Sequence, residues 1–406
     1  MKKSLIAVAV AGLFAAPVAM AEVTLSGAIN LGIEYSKSSA GTVGSQSVNK
    51  TQLNSNYSHV DLESVDDIGD GNKVIFHYQL IAQPQTTGTD NTNRNSFLGV
   101  MGTWGAFKMG TNENVYERFM YTADPLDGAV GPGGNLMILG TPGASEAFQA
   151  GQGSCIPGTG TSLGTGGCVG FYRRTDNTIW YESPNWDGIS FEVDYTLSAD
   201  KKVIAGNTLN PTVLSAGVKY QPAEKFFAVF EYVDVAYEQH HDMFGIVAIA
   251  NANGKTVPVA TGSSDTATQV GFGISPIENL HLNWRFEQLK YTADGTGGTN
   301  ADYKRNAFWS GIKYDLATGY VGFEIGRAND GKLDGNTKSD TGATMIGVGY
   351  FHNLSKQSQL QFIYGNTNNK DNGTYTQAAA PGINGGGTIN PGSDSQVFHV
   401  GLKHTF

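Results

Sequence analysis

The chain has 406 residues, with 54 glycines, 20 phenylalanines and 18 tyrosines against 13 prolines. That composition suits many strands joined by turns, since aromatic side chains fit a pleated surface and glycine fits tight corners. A formal net charge of −10 argues against a nucleic-acid partner, whose phosphates call for a basic surface. Beyond residue 21 no apolar run approaches the roughly 20 residues of a spanning helix, which excludes a helical membrane protein.

The first segment, "MKKSLIAVAVAGLFAAPVAMA", has Lys2 and Lys3, an apolar run from Leu5 to Ala16, and Ala19-Met20-Ala21. This is the pattern of a cleaved export signal over residues 1–21, with Glu22 as the first mature residue, leaving one domain over 22–406. The run is too short for a membrane anchor. Export leaves three destinations: secreted, periplasmic or outer-membrane.

From Glu22 the chain alternates. "EVTLSGAINLGIEY" sets Val23, Leu25, Ile29, Leu31, Ile33 and Tyr35 on one face and Thr24, Ser26, Asn30 and Glu34 on the other. Alternation over more than about ten residues exceeds most globular strands and matches a tilted membrane-spanning one. Further segments follow at 56–64, 73–83, 94–103, 106–112, 174–183, 188–198, 211–221 and 225–237. The rest lie at 266–275, 279–292, 302–314, 319–328, 341–352, 358–367 and 396–406, which makes sixteen in all.

Alternate links are short turns, "VDDIGDGN", "TWGA", "PNWDG", "QPAEK", "SPIEN", "DLAT" and "NLSKQ". The links between them are longer and polar, at 36–55, 84–93, 113–173, 199–210, 238–265, 293–301, 329–340 and 368–395. Short turns on one side and long loops on the other predict an all-β fold, an antiparallel sixteen-stranded transmembrane barrel. The last segment, "VFHVGLKHTF", keeps Phe398, Val400, Leu402 and Phe406 on one parity. Pairing it with the first strand would close the sheet and leave no unpaired backbone in lipid.

Four stretches resemble the general porins of Gram-negative bacteria. "HVGLKHTF" is similar to their closing strand, whose terminal aromatic is read by the barrel assembly machinery. "GVGYFHNLSKQSQLQFIYGN" resembles their penultimate hairpin, "NTIWYESPNWDGISFEVDY" a middle one, and "RNSFLGVMGTWGAFKMG" the hairpin before the third loop. The resemblance implies an outer-membrane homotrimer of sixteen-stranded barrels, embedded in lipid and passing small hydrophilic solutes and ions. It also implies that the third loop folds inward and sets carboxylates opposite basic residues of the wall.

In this chain that loop runs from about Glu113 to Arg173 and carries Glu113, Glu117, Asp124, Asp127 and Glu146. It has no strand or helix pattern, and loops of this length are either functional or disordered. The resemblance places Arg94 and Arg173 or Arg174 on the wall. The second strand departs from the family: "SHVDLES" puts His59 where Arg is usual, Asp61 where Gly is usual and Glu63 where a base is usual. That tilts the lumen toward cations, with His59 as a pH-dependent element; the alternative is that nearby bases compensate both carboxylates. Cys155 and Cys168 lie in the same Gly-rich stretch of an exported chain, where they form a local disulfide or stay as two thiols.

Other chemistry finds little support. His240-His241 would point to opposite faces of a strand, which argues against a metal site. "NDGKLDGN" and "NKDNG" lack calcium-loop spacing, and no cofactor is implied. Ser162 sits in a Gly-x-Ser-x-Gly match flanked by loop rather than strand and helix, and Ser58-His59 reads as lumen lining, so an enzyme is not expected. The rival is a channel selective for a sugar or aromatic solute. It would need an inward aromatic slide, to which Trp180 and Trp309 could belong; otherwise they face lipid or a neighbouring subunit.

Overall fold

The computed structural model describes residues 22–42, 47–85, 93–122, 124–126, 132–141, 171–172, 174–197, 202–204, 207–209, 212–237, 260–295, 300–377 and 391–406. The chain forms a closed antiparallel barrel of sixteen strands. Its first half comprises β1 (Glu22–Ser38), β2 in two parts (Val48–Ser55 and His59–Gly69), β3 (Asn72–Ile81), β4 (Asn93–Gly102), β5 (Gly105–Glu113), β6 (Arg174–Glu182), β7 (Ile189–Thr196) and β8 (Thr212–Ala223). Its second half comprises β9 (Phe226–Tyr237), β10 (Ala260–Ile277), β11 (Leu280–Gly295), β12 (Asn300–Leu316), β13 (Gly319–Ala328), β14 (Ala343–Asn353), β15 (Ser358–Asn369) and β16 (Ser395–Thr405).

Each strand pairs with the next, and β1 pairs with β16 from Ala28 opposite Thr405 to Ser38 opposite Ser395. The seam is finished by reciprocal backbone bonds: Gly27 N–H donates to Phe406 O and Phe406 N–H to Gly27 O, both at 3.1 Å. No sheet edge remains in this ladder, as lipid demands. At the short turn between β2 and β3, Gly69 pairs with Asn72 across Asp70 (φ 53°) and Gly71 (φ 75°). Two successive positive φ values are what a tight two-residue hairpin of the native twist requires, and Asp-Gly supplies them.

Burial follows strand parity. In β1, Ile33 and Tyr35 are exposed on the outside while Asn30, Glu34 and Ser36 are buried within. The same split sets Phe286, Ile325, Val348, Phe398 and Val400 outside and Gln269, Arg285, Glu287, Arg305, Glu324 and His399 inside. A soluble monomer does not carry so continuous an apolar exterior, and a barrel in lipid with a polar lumen must.

Among the segments that depart from expectation are two that extend the barrel sheet. Residues 36–55 read as a loop, yet Val48–Ser55 pairs with β1 from Leu31 opposite Ser55 to Ser38 opposite Val48. A short hairpin, Lys332–Leu333 with Asn336–Thr337, also extends the sheet beside β12. Both lie toward the long-loop side, and in Val48–Ser55 the outward Asn49, Thr51 and Ser55 are polar, with Leu53 apolar among them, so no alternation marks the strand.

Candidate functional site

The chain between β5 and β6 opens with a helix that its sequence reading missed, α1 (Val115–Tyr121). Asn114 caps it: its Oδ1 accepts from Glu117 N–H at 2.9 Å, while its Nδ2 donates to Phe171 O at 2.7 Å. Val115, Tyr116, Phe119 and Met120 form the buried face, at the i, i+4 spacing of a helix stripe. About two helical turns is too short a periodic signal to stand out in a glycine-rich loop.

Inner-parity side chains of the barrel receive this segment. Asp194 Oδ2 of β7 accepts from Val115 N–H at 2.7 Å, and Ser215 Oγ of β8 from Tyr116 N–H at 3.1 Å. Arg285 of β11 donates through Nη2 to Phe119 O and, at 3.0 Å, to Thr122 O. Arg305 of β12 donates to Ile138 O at 3.2 Å and to Thr141 O. Glu287 of β11 ties both ends: it accepts from the Tyr116 hydroxyl, from Gly140 N–H at 2.7 Å and from Arg305. The Glu287 and Arg305 side chains are both 0 % exposed.

Glycine makes room for the contact. A Cβ on Gly217 would stand 2.6 Å from the Phe119 ring and one on Gly347 2.6 Å from Gly133 O. No side chain fits at such separations unless the loop moves.

The residues singled out in the sequence divide into groups. Glu113 ends β5 and lies between Arg94 Nη2, at 3.2 Å, and Arg174 Nη2. Arg174 Nε donates also to Asn95 Oδ1 at 2.7 Å, and the Arg94 guanidinium sits 4.3 Å over the Tyr57 ring. Glu117 is buried in α1 and accepts from the Tyr121 hydroxyl. Burial, and after it the neighbouring Glu113, pushes its carboxyl up to about 7. Asp124 accepts from Leu126 N–H at 2.8 Å and Asn135 N–H at 2.9 Å. Asp127, Glu146, Arg173, Cys155, Cys168, Ser162, His240 and His241 lie outside the described residues.

The His59, Asp61 and Glu63 row is compensated, but by histidine rather than by Arg or Lys. His59 Nε2 is 3.3 Å from Asp61, and His77 lies 3.8 Å from Asp61 and 2.8 Å from Glu63. Gln79 Nε2 also donates to Asp61 at 2.9 Å. All three contacts are ionic only when the imidazole is protonated.

Trp180 and Trp309 both stand on the inner parity, which removes the lipid or subunit-interface assignment. Neither offers an open ring, with 2 % and 0 % exposure. Trp180 meets Phe97 edge-on at 5.2 Å and donates to Glu182, and Trp309 donates to Glu324. The functional residues the sequence reading missed, Arg285, Glu287, Arg305 and Glu324, carry one available signal: each is a charge on the inner parity of an otherwise apolar-outside strand.

Two cavities flank the segment. One of about 620 Å³ is lined by His59, Asp61, Arg94, Glu113, Tyr121 and Lys403 among others. The second, of about 370 Å³, is lined by Glu224, Lys225, His281 and Lys313 among others. Asp124 borders both. Among the described residues no cluster of three or more His, Cys, Asp or Glu side chains is arranged to hold a metal.

A sequence profile of Gram-negative porins matches residues 7–372. Outer membrane porin protein 32 of Delftia acidovorans is 25 % identical over 414 residues, covering 100 % of both chains. Major outer membrane protein P.IB of Neisseria meningitidis serogroup B is 37 % identical over 117 residues, 28 % of this chain and 35 % of that one. Among solved structures, an anion-selective porin from Comamonas acidovorans aligns with a TM-score of 0.67 at 18 % identity, over 95 % of this chain and 100 % of that one. Outer-membrane-expressed OmpT of Vibrio cholerae aligns with a TM-score of 0.61 at 11 % identity, over 95 % and 98 %.

Proposed function

Because the chain belongs to the Gram-negative porin family of the outer membrane, we propose that it is a general diffusion pore, passing small hydrophilic solutes and ions passively with a modest preference for cations. One observation carries this reading: a segment hydrogen-bonded along the inner parity from β7 to β12, with polar cavities meeting at Asp124. On this reading the segment from Glu113 onward is the constriction, and Asp127 and Arg173 belong to it. Selection is by size and by the field across the gap.

Charge around the larger cavity supports the sign. Asp61, Glu113 and Asp124 stand against Arg94 and Lys403, with Arg174 bonded to the same Glu113 and His59 contributing only when protonated, so the sign rests on Asp61 and Asp124. In the smaller cavity Asp124 and Glu224 balance Lys225 and Lys313. The solved relative titled anion-selective shares 18 % identity, which carries the fold and not the lumen charges. A solute-specific path loses ground because Trp180 and Trp309 present no open ring.

The same reading makes three copies the working assembly, lipid the partner of the outward face, Phe406 the terminal aromatic read by the assembly machinery, and residues 1–21 an export signal. Planar-bilayer recording tests it. A cation-positive reversal potential under a salt gradient, closures in threes and no block by any one sugar are expected. Saturable block by a single solute would replace the general pore with a specific channel.

A further inference from the structure

The outward face is apolar through its middle, but one sector of its long-loop rim is basic. On the ladder joining β11 and β12 the outward pairs run Leu282 with Ile312, Trp284 with Ser310 and Phe286 with Phe308. Next come Gln288 with Asn306, whose amides hydrogen-bond at 3.0 Å, and then Lys290 with Lys304. On the other side of Lys304 the short hairpin places Lys332 directly opposite.

Three lysines therefore stand abreast on neighbouring strands, an arrangement that like-charge repulsion disfavours unless an anion sits among them. Lys304 and Lys332 are exposed and have no carboxylate partner among the described residues. Lys290 reaches only Asp302, at 3.7 Å. Arg327, exposed and opposite Phe308, adds a fourth cation below the row. Asp334, the other carboxylate near, is engaged with the backbone N–H of Asp302 at 2.9 Å. Among the described residues, four cations face two carboxylates.

Height identifies the occupant. From Phe308 to Lys304 is four residues, a rise of about 10 Å along a strand tilted by about 40°. That carries the ammonium groups out of the hydrocarbon and into the headgroup layer, on the side of the long loops, which is the outer leaflet. We propose that the Lys290, Lys304 and Lys332 row binds the phosphate groups of an anionic lipid of the outer leaflet. Its acyl chains lie on the apolar wall of Phe286, Phe308 and Ile325 directly below. That continuity of basic rim with apolar wall favours a lipid over free phosphate, for which exposed lysines in water hold little affinity.

The test uses the full-length folded protein in detergent, titrated with a bis-phosphorylated glycolipid and with the same glycolipid dephosphorylated, read by native mass spectrometry. Tighter binding of the phosphorylated form by about 100-fold is expected, at roughly fivefold per lysine. The triple variant K290Q/K304Q/K332Q should bind both forms alike. Should it fail to fold, K332Q alone, on the peripheral hairpin, should still lose about fivefold. Equal binding of the two glycolipids by the unaltered protein would overturn the proposal. So would displacement of the glycolipid by an equimolar amount of inorganic phosphate, which would reassign the row to a free anion. Cysteines placed at Lys304 and Lys332 that cross-link between copies would assign it to a protein interface instead.

Discussion

Glu287 joins two parts of the loop to the barrel wall, and replacing it by Ala tests how the loop is held. Its carboxylate accepts from Tyr116 in α1, from Gly140 more than twenty residues later and from Arg305 on the next strand. Removing it leaves the Arg305 guanidinium with 0 % exposure and no counter-charge, a cost of about 3–5 kcal/mol. The barrel cannot relieve that cost, because its ladder is independent of Glu287, whereas the loop can by lifting away and admitting water. At about 1.4 kcal/mol per tenfold, the seated loop should lose at least about 100-fold in population relative to the lifted one. Single-channel recording should show higher conductance and greater open-channel noise, with the barrel still migrating as folded on unheated gels. Glu287→Gln, which keeps an acceptor but not the charge, should fall between. Conductance and noise equal to those of the unaltered protein in Glu287→Ala would refute the idea that this carboxylate seats the loop.

Three further outcomes follow from the same geometry. Glu117, with its carboxyl raised to about 7, is neutral below that pH and gains a negative charge above it. The cation-to-anion permeability ratio should therefore rise as pH passes through about 7, and Glu117→Gln should flatten the step; its folded value above the usual 4.5 also means that ionising it lowers stability as pH rises from about 4.5 to 7. Gly347→Val should push the loop off the wall, since its Cβ would stand 2.6 Å from Gly133 O; an unchanged conductance would count against the seating. Glu34→Ala, which strips His399, Asn54 and Asn56 of their shared acceptor at the β1–β16 seam, should cost on the order of 3 kcal/mol, measured as a lower unfolding temperature of the barrel.

The strands were legible because lipid on one side and water on the other impose parity over ten residues at a time. β13 keeps the same bounds in both readings, Gly319–Ala328, because every outward position there, Val321, Phe323 and Ile325, meets hydrocarbon before Arg327 leaves it. Where strands run past the lipid the signal lapses. β10 begins at Ala260, six residues before its apolar alternation does, because "ATGSSD" carries no apolar alternation to read. Val48–Ser55 was lost because its outward positions are mostly polar, Asn49, Thr51 and Ser55 around Leu53, so a strand that pairs through its backbone carries no apolar alternation.

The candidate site was legible in its kinds of residue and not in its partnerships. Arg94, Arg174 and Glu113 were all singled out, and the fold brings them together on one carboxylate. Glu113 was expected to face the wall across a gap, but it is the last residue of β5 and so belongs to the wall itself. Such compensation recurs through the lumen, as in Arg118 with Glu192, Lys108 with Glu182 and Arg305 with Glu287. The formal charge of −10 therefore overstates the field that a passing ion meets. Other lumen carboxylates are held differently: Asp124 accepts from backbone amides, and Asp61 and Glu63 meet histidines. A histidine offsets a carboxylate only when protonated, whereas an arginine or lysine does so throughout. On the proposed reading, ion preference follows the partner that each lumen carboxylate is given, and that is a property of cross-strand register and loop seating, neither of which a count of charges contains.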